Sequence, residues 1–297
     1  EDSALRRYLG YLREALAHDH PARSVANGVW AKVGPRAKHW PVPGLVDDGA
    51  GVITERATTA AETGPEPTFL FLNYMDAHTP LRNLLQHDRS RHDVPNDWSS
   101  TRIDKWELNA DDAATEEYTE NYRAVYAAAI EYLDRQVSTL AADLRAATDR
   151  ETTVVVTADH GHNLGYPAED GLFHHTGSMS EGVMHVPLEI INPPADFSLA
   201  AEGPVSHLDL GDLLVALADD RSRADLSRER VPAETVGLLG GDDATWGRDF
   251  DDETHAWWNR MIRCVYRGGT KYQWNSVGEA REYRLDPERP CDQEQVA

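Results

Sequence analysis

The stretch Thr152–His162, TTVVVTADHGH, is a run of β-branched residues that ends at an acid, two histidines and a glycine. A continuous β-branched run suits a strand covered on both faces, so Thr153–Thr157 is predicted to be a buried parallel strand. Asp159 and His160 then follow the carboxyl end of this strand, the edge at which open α/β sheets bind ligands. Taken alone, the string also describes a strand that ends in a polar turn, with Asp159 as a helix cap.

A second apolar segment, Thr68–Met75, is also predicted to be a strand, and it runs directly into Asp76 and His78. Between the two strands, apolar residues recur every three or four positions over Asp111–Ala147, which predicts a long helix. The order strand, helix, strand is typical of the crossover unit of a parallel sheet. Two more strands and one helix are predicted downstream, at Val186–Ile191, Pro204–Leu208 and Asp209–Ala218.

The predicted fold class is α/β, a three-layer sandwich with a mostly parallel central sheet. Near the C-terminus, Arg260–Arg267 and Thr270–Trp274 flank a Gly-Gly pair, which predicts an antiparallel hairpin. We therefore expect an N-terminal helix and connecting segment of the main domain over 1–66 and an α/β core over 67–241. A small C-terminal α+β subdomain is expected over 242–297.

The charge balance is strongly acidic, with 51 acidic against 29 basic residues and a net charge of −22. The only lysines are Lys32, Lys38, Lys105 and Lys271. An acidic surface this poor in lysine is typical of halophilic proteins, because salt screens the repulsion between hydrated carboxylates. It argues against nucleic acid as a partner, since binding phosphates needs a basic stripe.

No apolar run approaches the length of a membrane span, so no membrane segment is expected and the chain is predicted to be soluble. The sequence begins without Met and without a signal region. We expect the native N-terminus to be missing, which removes the usual evidence on secretion; the cytoplasm is slightly favoured and secretion stays open. Cys264 and Cys291 lack the spacing of a disulfide framework or a zinc site and are interpreted as a core thiol and a tail thiol.

Acids and histidines follow three predicted strand ends, at Asp76 and His78, at Asp159 and His160, and at His174 and His175. In this order the surrounding segments resemble the sulfatase branch of the alkaline phosphatase superfamily. The resemblance runs from Thr68 to the C-terminus and is carried by FLFLNYMDAHTPL (69–81), VVVTADHGHNLG (154–165), HHTGSMSEGVMHVPLEI (174–190), VSHLDLGDLLVALA (205–218) and RMIRCVYRGGTKYQW (260–274).

The resemblance implies a role for each matching residue. Asp159 and His160 would be two ligands of a divalent cation, Ca²⁺ foremost, with Mg²⁺ and Mn²⁺ as alternatives. His78 and His175 would be catalytic contacts to the sulfate or phosphate group. Further substrate contacts are expected from Asp76, His174, His162 and Asn73. The chemistry is consistent, because a bound cation polarises a tetrahedral oxyanion while imidazoles donate hydrogen bonds or a proton.

Several positions depart from the family pattern. His162 stands where relatives commonly have Glu, His185 where Arg is frequent, and Gly182 where a second Glu is usual. The family's nucleophile is a formylglycine made within a Cys/Ser-x-Pro-x-Arg motif, or a Ser or Thr in phosphatase relatives. Neither that motif nor the family's first acidic strand occurs in these 297 residues. We therefore expect the C-terminal part of such an enzyme, inactive by itself.

The leading hypothesis is a metal-dependent hydrolase of small-molecule or saccharide sulfate esters. A hydrolase of phosphomonoesters, phosphodiesters or phosphonate esters uses the same scaffold and is the first alternative. A binding or regulatory pseudoenzyme without a nucleophile is the second. The sequence does not predict the oligomeric state.

Overall fold

The chain forms two compact units with a mixed α/β fold. A computed structural model describes residues 2–37, 49–201, 203–219, 221–238, 249–286, 288–289 and 292–297. The first unit comprises Glu1–Arg102 and Asn121–Leu140, and the second comprises Ile103–Glu120 and Ala141–Ala297. The predicted division at residues 66 and 241 stays a prediction.

The described residues contain α-helices and β-strands that alternate irregularly along the chain. The helices are α1 (Asp2–Ala17), α2 (Pro21–Ala37), α3 (Ala50–Thr63), α4 (Lys105–Ala110), α5 (Glu116–Ala147), α6 (Glu181–Met184), α7 (Leu210–Ala218) and α8 (Asp252–Trp258). The strands are β1 (Val154–Thr157), β2 (Asn163–Leu164), β3 (Phe173–His174), β4 (Leu188–Ile191), β5 (Ser198–Ala200), β6 (Arg223–Asp225), β7 (Val231–Val236), β8 (Met261–Arg267), β9 (Thr270–Asn275), β10 (Ala280–Leu285) and β11 (Gln293–Gln295).

The strand predicted over Thr153–Thr157 is present as β1, but it is neither parallel nor fully buried. It pairs antiparallel with β4, with Val154 opposite Ile191 and Thr157 opposite Leu188. Its residues are half-buried or exposed, because an apolar cluster covers only one side of the strand. On that side Val155 packs against buried residues of α7 and β6. A mostly parallel central sheet is therefore not shown in the described residues.

The second predicted strand, Thr68–Met75, is wrong, because this segment forms no β-ladder in the part of the chain that the structure describes. Phe69 and Phe71 are 72% and 82% exposed. The apolar pattern of this segment suits a strand, but a strand also needs hydrogen-bond partners for its backbone N–H and C=O groups. The predicted strand at Pro204–Leu208 is also wrong, since a 3-10 turn begins at His207.

The C-terminal hairpin is confirmed and belongs to a five-stranded antiparallel sheet in the order β11-β10-β9-β8-β7. β7 lies upstream of the predicted subdomain boundary, so this sheet draws in residues from before position 242. Cys264 on β8 is buried, and burial raises the pKa of its thiol to about 11, as expected of a core thiol. Cys291 lies outside the described residues.

Helix content was underpredicted near the N-terminus, and the short helices α4 and α8 were also not predicted. The segment predicted to be connecting material contains α2 and α3, whereas only a helical turn or two was predicted there, at Ser24–Trp30. Gly28, Gly34 and Pro35 disfavour a longer helix. The long predicted helix is α5, which begins at Glu116, where the Thr115 hydroxyl accepts a hydrogen bond from the Tyr118 amide. None of the described helices has the length and apolarity required to span a membrane.

A buried histidine lies in the first unit, in the irregular region that follows Thr68–Met75. His87 is 5% exposed, and neither ring nitrogen has a hydrogen-bond partner among the described residues. Its ring centroid is 6.1 Å from that of Tyr132. Burial, followed by the nearby His92, Arg135 and Arg89, lowers the pKa of His87 from 6.5 to about 4.

Two glycines bring the chain after β1 against α6. The amides of Gly161 and His162 donate hydrogen bonds of 2.7 Å to the carbonyl oxygens of Val183 and Gly182. A Cβ atom at Gly161 would lie 2.1 Å from the Gly182 oxygen, and one at Gly182 would lie 2.2 Å from Oε1 of Glu169. This approach of two backbones therefore needs glycine at both positions.

The buried His87 predicts an acid-sensitive stability. Its folded pKa lies below its unfolded value, so the unfolded chain binds more protons between about pH 4 and 6.5 and the free energy of unfolding falls as pH drops through that window. His87→Phe is expected to remove about 3 kcal/mol of this pH dependence. Urea unfolding at pH 7.0 and 4.5 measures it, and the exposed His20→Phe serves as control. An unchanged pH dependence in His87→Phe would contradict the prediction.

Gly161→Ala is expected to destabilise the protein by about 1–3 kcal/mol, because the added methyl group overlaps a carbonyl oxygen and separates two hydrogen-bonded backbones. Gly211→Ala is the matched control, since a Cβ at that position of α7 meets no atom within 4 Å. A glycine-to-alanine change at such a helical site should instead stabilise by about 0.5–1 kcal/mol. Chemical unfolding measures the free energy of unfolding of both variants. Equal changes in the two variants would show that the close contact between Gly161 and the Gly182 oxygen does not matter for stability.

Candidate active site

Four histidines from two segments of the second unit lie close together. His160 and His162 follow β1, whereas His174 and His175 stand at the end of β3 and just after it. The ring centroids of His160 and His175 are 4.2 Å apart, those of His162 and His174 are 5.6 Å apart, and those of His162 and His175 are 6.3 Å apart. These four residues are called the histidine cluster below.

Asp159 and His160 stand at the solvent-facing side of this cluster. The side chain of Asp159 is 88% exposed and that of His160 is 34% exposed. Oδ1 of Asp159 accepts a 2.9 Å hydrogen bond from the His160 amide, while Oδ2 lies 3.6 Å from Nε2 of His160. Asp159 thus folds back onto the residue that follows it and does not cap a helix.

The two segments are joined by a short antiparallel ladder beneath the rings. β2 pairs with β3, with Asn163 opposite His174 and Leu164 opposite Phe173. Asn163 is completely buried, and its Oδ1 accepts a 2.5 Å hydrogen bond from the Ser180 hydroxyl. His162 directly precedes β2 and His174 is on β3, so this ladder brings two histidines that are twelve positions apart in sequence into contact.

The backbone at His174 is unusual. Its φ is 63°, in the left-handed region that non-glycine residues rarely adopt. Such a conformation persists only where surrounding contacts hold it, and it recurs at ligand sites. Three residues further on, the carbonyl oxygen of Gly177 accepts a 3.1 Å hydrogen bond from Nη2 of Arg260. The Arg260 guanidinium also lies 3.5 Å from the centre of the Trp257 ring.

A buried ion pair involves Glu181, the first residue of α6. Nζ of Lys271 donates a 2.8 Å hydrogen bond to Oε1 of Glu181, and the two side chains are 0% and 4% exposed. The Tyr266 hydroxyl donates a 2.7 Å hydrogen bond to the same oxygen. Burial, with Glu181 second, raises the pKa of Tyr266 well above its usual range, so this hydroxyl remains a donor.

The remaining predicted site residues, Asp76, His78 and Asn73, belong to the first unit. Oδ2 of Asp76 accepts a 3.0 Å hydrogen bond from the amide of Ala50 at the start of α3, which is a favourable place for a carboxylate. His78 is exposed, and its Nδ1 lies 2.6 Å from the carbonyl oxygen of Thr79. The catalytic role of His78 and the substrate-binding roles of Asp76 and Asn73 stay predictions.

The pair Asp159 and His160 could hold part of a cation's coordination shell. Nδ1 of His160 lies 2.8 Å from the Gly161 carbonyl oxygen, which favours the tautomer that leaves the Nε2 lone pair available. Nε2 of His160 and Oδ2 of Asp159 are 3.6 Å apart. Two ligand atoms at this separation can each lie about 2.1–2.4 Å from the same ion. No larger group of His, Cys, Asp or Glu residues in the described ranges is arranged to hold a metal.

Sequence reasoning missed the residues that support the cluster. Asn163, Glu181 and Lys271 are all buried and hydrogen-bonded beneath it, yet each looks like an ordinary polar residue in the sequence. One signal was available for Lys271, because it is one of only four lysines in a chain of 297 residues. A lysine kept in so lysine-poor a chain, at an alternating position of a predicted strand, is a candidate for a buried charge.

Comparison with known proteins identifies the family of this chain. The sulfatase family model matches residues 39–220, more than half of the chain. Among solved structures, the chain is similar to a protein assigned as a sulfatase from Bacteroides thetaiotaomicron VPI-5482, with 17% identity and a TM-score of 0.46. It is also similar to a 2-O GAG sulfatase, with 18% identity and a TM-score of 0.49.

Each match covers 82% of this chain and 57% of the other protein, so the chain spans little more than half the length of these two proteins. No curated protein matches the chain. By the match over residues 39–220, which contains Asp159 and the whole histidine cluster, the chain belongs to the sulfatase family.

Proposed function

We propose that this protein hydrolyses sulfate esters of small molecules or saccharides, with Asp159 and the histidine cluster at its active site. The observation that carries the proposal is the approach of the His160 and His175 rings, whose centroids are 4.2 Å apart next to the Asp159 carboxylate. Both rings lie within the segment that matches the sulfatase family. Sulfate esters are anionic, and a group of imidazoles beside an exposed edge provides N–H donors for their oxygens.

His175 is assigned to the ester itself. Its ring centroid lies 4.2 Å from that of His160, a proposed cation ligand, and 6.3 Å from that of the buried His162. From this position a protonated imidazole can donate to a sulfate oxygen or to the leaving oxygen. His162 is 7% exposed, which suits a residue that orients the neighbouring rings.

Asp159 and His160 are assigned to a divalent cation. Such an ion, when bound, supplies a Lewis acid that withdraws negative charge from an ester oxygen. Asp159 contributes a carboxylate, the ligand type that suits Ca²⁺, Mg²⁺ and Mn²⁺, and His160 contributes a neutral imidazole. The contact of His160 Nδ1 with the Gly161 carbonyl oxygen orients the ring so that Nε2 is directed toward Asp159.

Cation binding is tested by calorimetric titration of the purified chain with Ca²⁺, Mg²⁺ and Mn²⁺. Asp159→Asn is expected to weaken binding at least about tenfold, because it removes the only carboxylate assigned to the ion. Asp196→Asn replaces another exposed aspartate and should leave the affinity unchanged. Equal affinities of the wild type and Asp159→Asn for every ion would exclude Asp159 as a ligand.

Sulfate ester hydrolysis is tested on the full-length gene product, with aryl sulfates and sulfated saccharides as substrates. His175→Gln is expected to lower kcat/KM by about 10²–10⁴-fold, the range typical of a lost proton donor. Mass spectrometry reports whether a formylglycine is present, and matched aryl phosphates test phosphate ester hydrolysis. A full-length protein that carries formylglycine and cleaves no sulfate ester with any of the three cations present would disprove the proposal.

A further inference from the structure

The C-terminal sheet contacts the segment that carries the histidine cluster through buried polar groups. Nζ of Lys271 on β9 donates to Oε1 of Glu181 and also to the carbonyl oxygen of Met179, each at 2.8 Å. A third bond of 2.6 Å joins Nζ to Oε1 of Gln293 on β11. All three N–H donors of the ammonium group are therefore used, and its side chain is 0% exposed.

The same segment is held at its other end by two further contacts from this sheet. Nε2 of Gln293 donates a 2.9 Å hydrogen bond to the carbonyl oxygen of Ala168, and Nη1 of Arg281 donates one of 2.8 Å to Asp170. Residues 168–184 thus receive hydrogen bonds from β9, β10 and β11. His174 and His175 lie between these attachment points.

A continuous series of contacts leads from Lys271 to the other half of the cluster. Glu181 is the first residue of α6, and the next two residues, Gly182 and Val183, accept the amide hydrogen bonds of His162 and Gly161. Glycine at 161 and 182 allows a separation of 2.7 Å across these bonds. The position of α6 consequently determines the position of the chain that carries His160 and His162.

We infer that Lys271 is a positioning residue for the histidine cluster, so that the C-terminal sheet is an integral part of the active site. It acts through Glu181 and Met179 and touches none of the four imidazoles itself. A hydrophobic residue in its place would leave the Glu181 carboxylate buried beside the Tyr266 hydroxyl alone. α6 would then lose the contact that fixes its first turn.

This inference takes its functional meaning from the proposed sulfatase activity, but its test does not depend on turnover. The readouts are the ring ¹⁵N chemical shifts of His160, His162, His174 and His175 at a fixed neutral pH, and the hydrogen-exchange rates of the Gly161 and His162 amides. Both are measured on the purified 297-residue chain. A protein without sulfatase activity can still satisfy the inference, and an active one can still contradict it.

The principal variant is Lys271→Met combined with Glu181→Gln, because Lys271→Met alone leaves an unpaired buried carboxylate and can fail to fold. The double variant keeps an acceptor for Tyr266 and removes both charges. It is expected to shift the ring resonances of His174 and His175 and to accelerate exchange of the Gly161 and His162 amides about tenfold, the effect of losing one hydrogen bond. Tyr266→Phe, which removes one bond to Glu181, should produce smaller shifts in the same resonances.

Ile262→Ala is the matched control, since Ile262 is 1% exposed on the adjacent strand β8 and packs in the same apolar cluster as Met179. It should lower the Tm at least as much while leaving the four ring resonances in place. Wild-type resonances and exchange rates in the folded double variant would overturn the inference. So would equal changes in Ile262→Ala, because the cluster would then respond to loss of stability in general.

Discussion

The buried contact between Lys271 and Glu181 is the interaction on which the proposed active site depends. A lysine and a glutamate that are both removed from water each lose hydration energy, and only good geometry and further hydrogen bonds offset that cost. Here Oε1 of Glu181 accepts from both Lys271 and Tyr266, and Lys271 donates to three acceptors. Breaking one partner away would leave an uncompensated charge in the interior. The arrangement is therefore held tightly, and the histidine cluster is built on the segment that it holds.

Close backbone packing carries this rigidity to the histidines. Gly161 and Gly182 allow two chain segments to approach until their amides and carbonyls form 2.7 Å hydrogen bonds. The departure from the family pattern at Gly182 has a local explanation in this structure, because Oε1 of Glu169 occupies the space that a side chain there would need. Glu169 in turn accepts hydrogen bonds from the amides of Leu164 and Tyr166. The loop between the two pairs of histidines is thus ordered by a buried carboxylate.

The candidate site could be predicted from the sequence in part. Asp159 and His160 were found because they follow a β-branched run, and His174 and His175 because the order of the acid and histidine sites resembles that of sulfatases. Their approach to one another could not be derived from spacing, since it results from the β2–β3 ladder, whose two-residue strands have no detectable periodicity. In the first unit, by contrast, a clear sequence pattern led to a wrong prediction. Thr68–Met75 has a strong strand pattern, yet Phe69 and Phe71 are exposed and the segment forms no ladder among the described residues.

The sequence by itself determined the elements whose stability is local. The α5 and α7 helices were readable from the 3.6-residue periodicity of their side chains, the β8–β9 hairpin from its turn residues Gly268-Gly269, and β1 from its continuous β-branched run. Only the tertiary structure decided which partner each strand takes, so β1 pairs antiparallel with β4 where a parallel sheet was expected. It also decided which polar residues are buried, since a lysine at position 271 has the same pattern in sequence whether it faces water or Glu181. Pairing and burial depend on residues distant in the chain, and local periodicity carries no information about them.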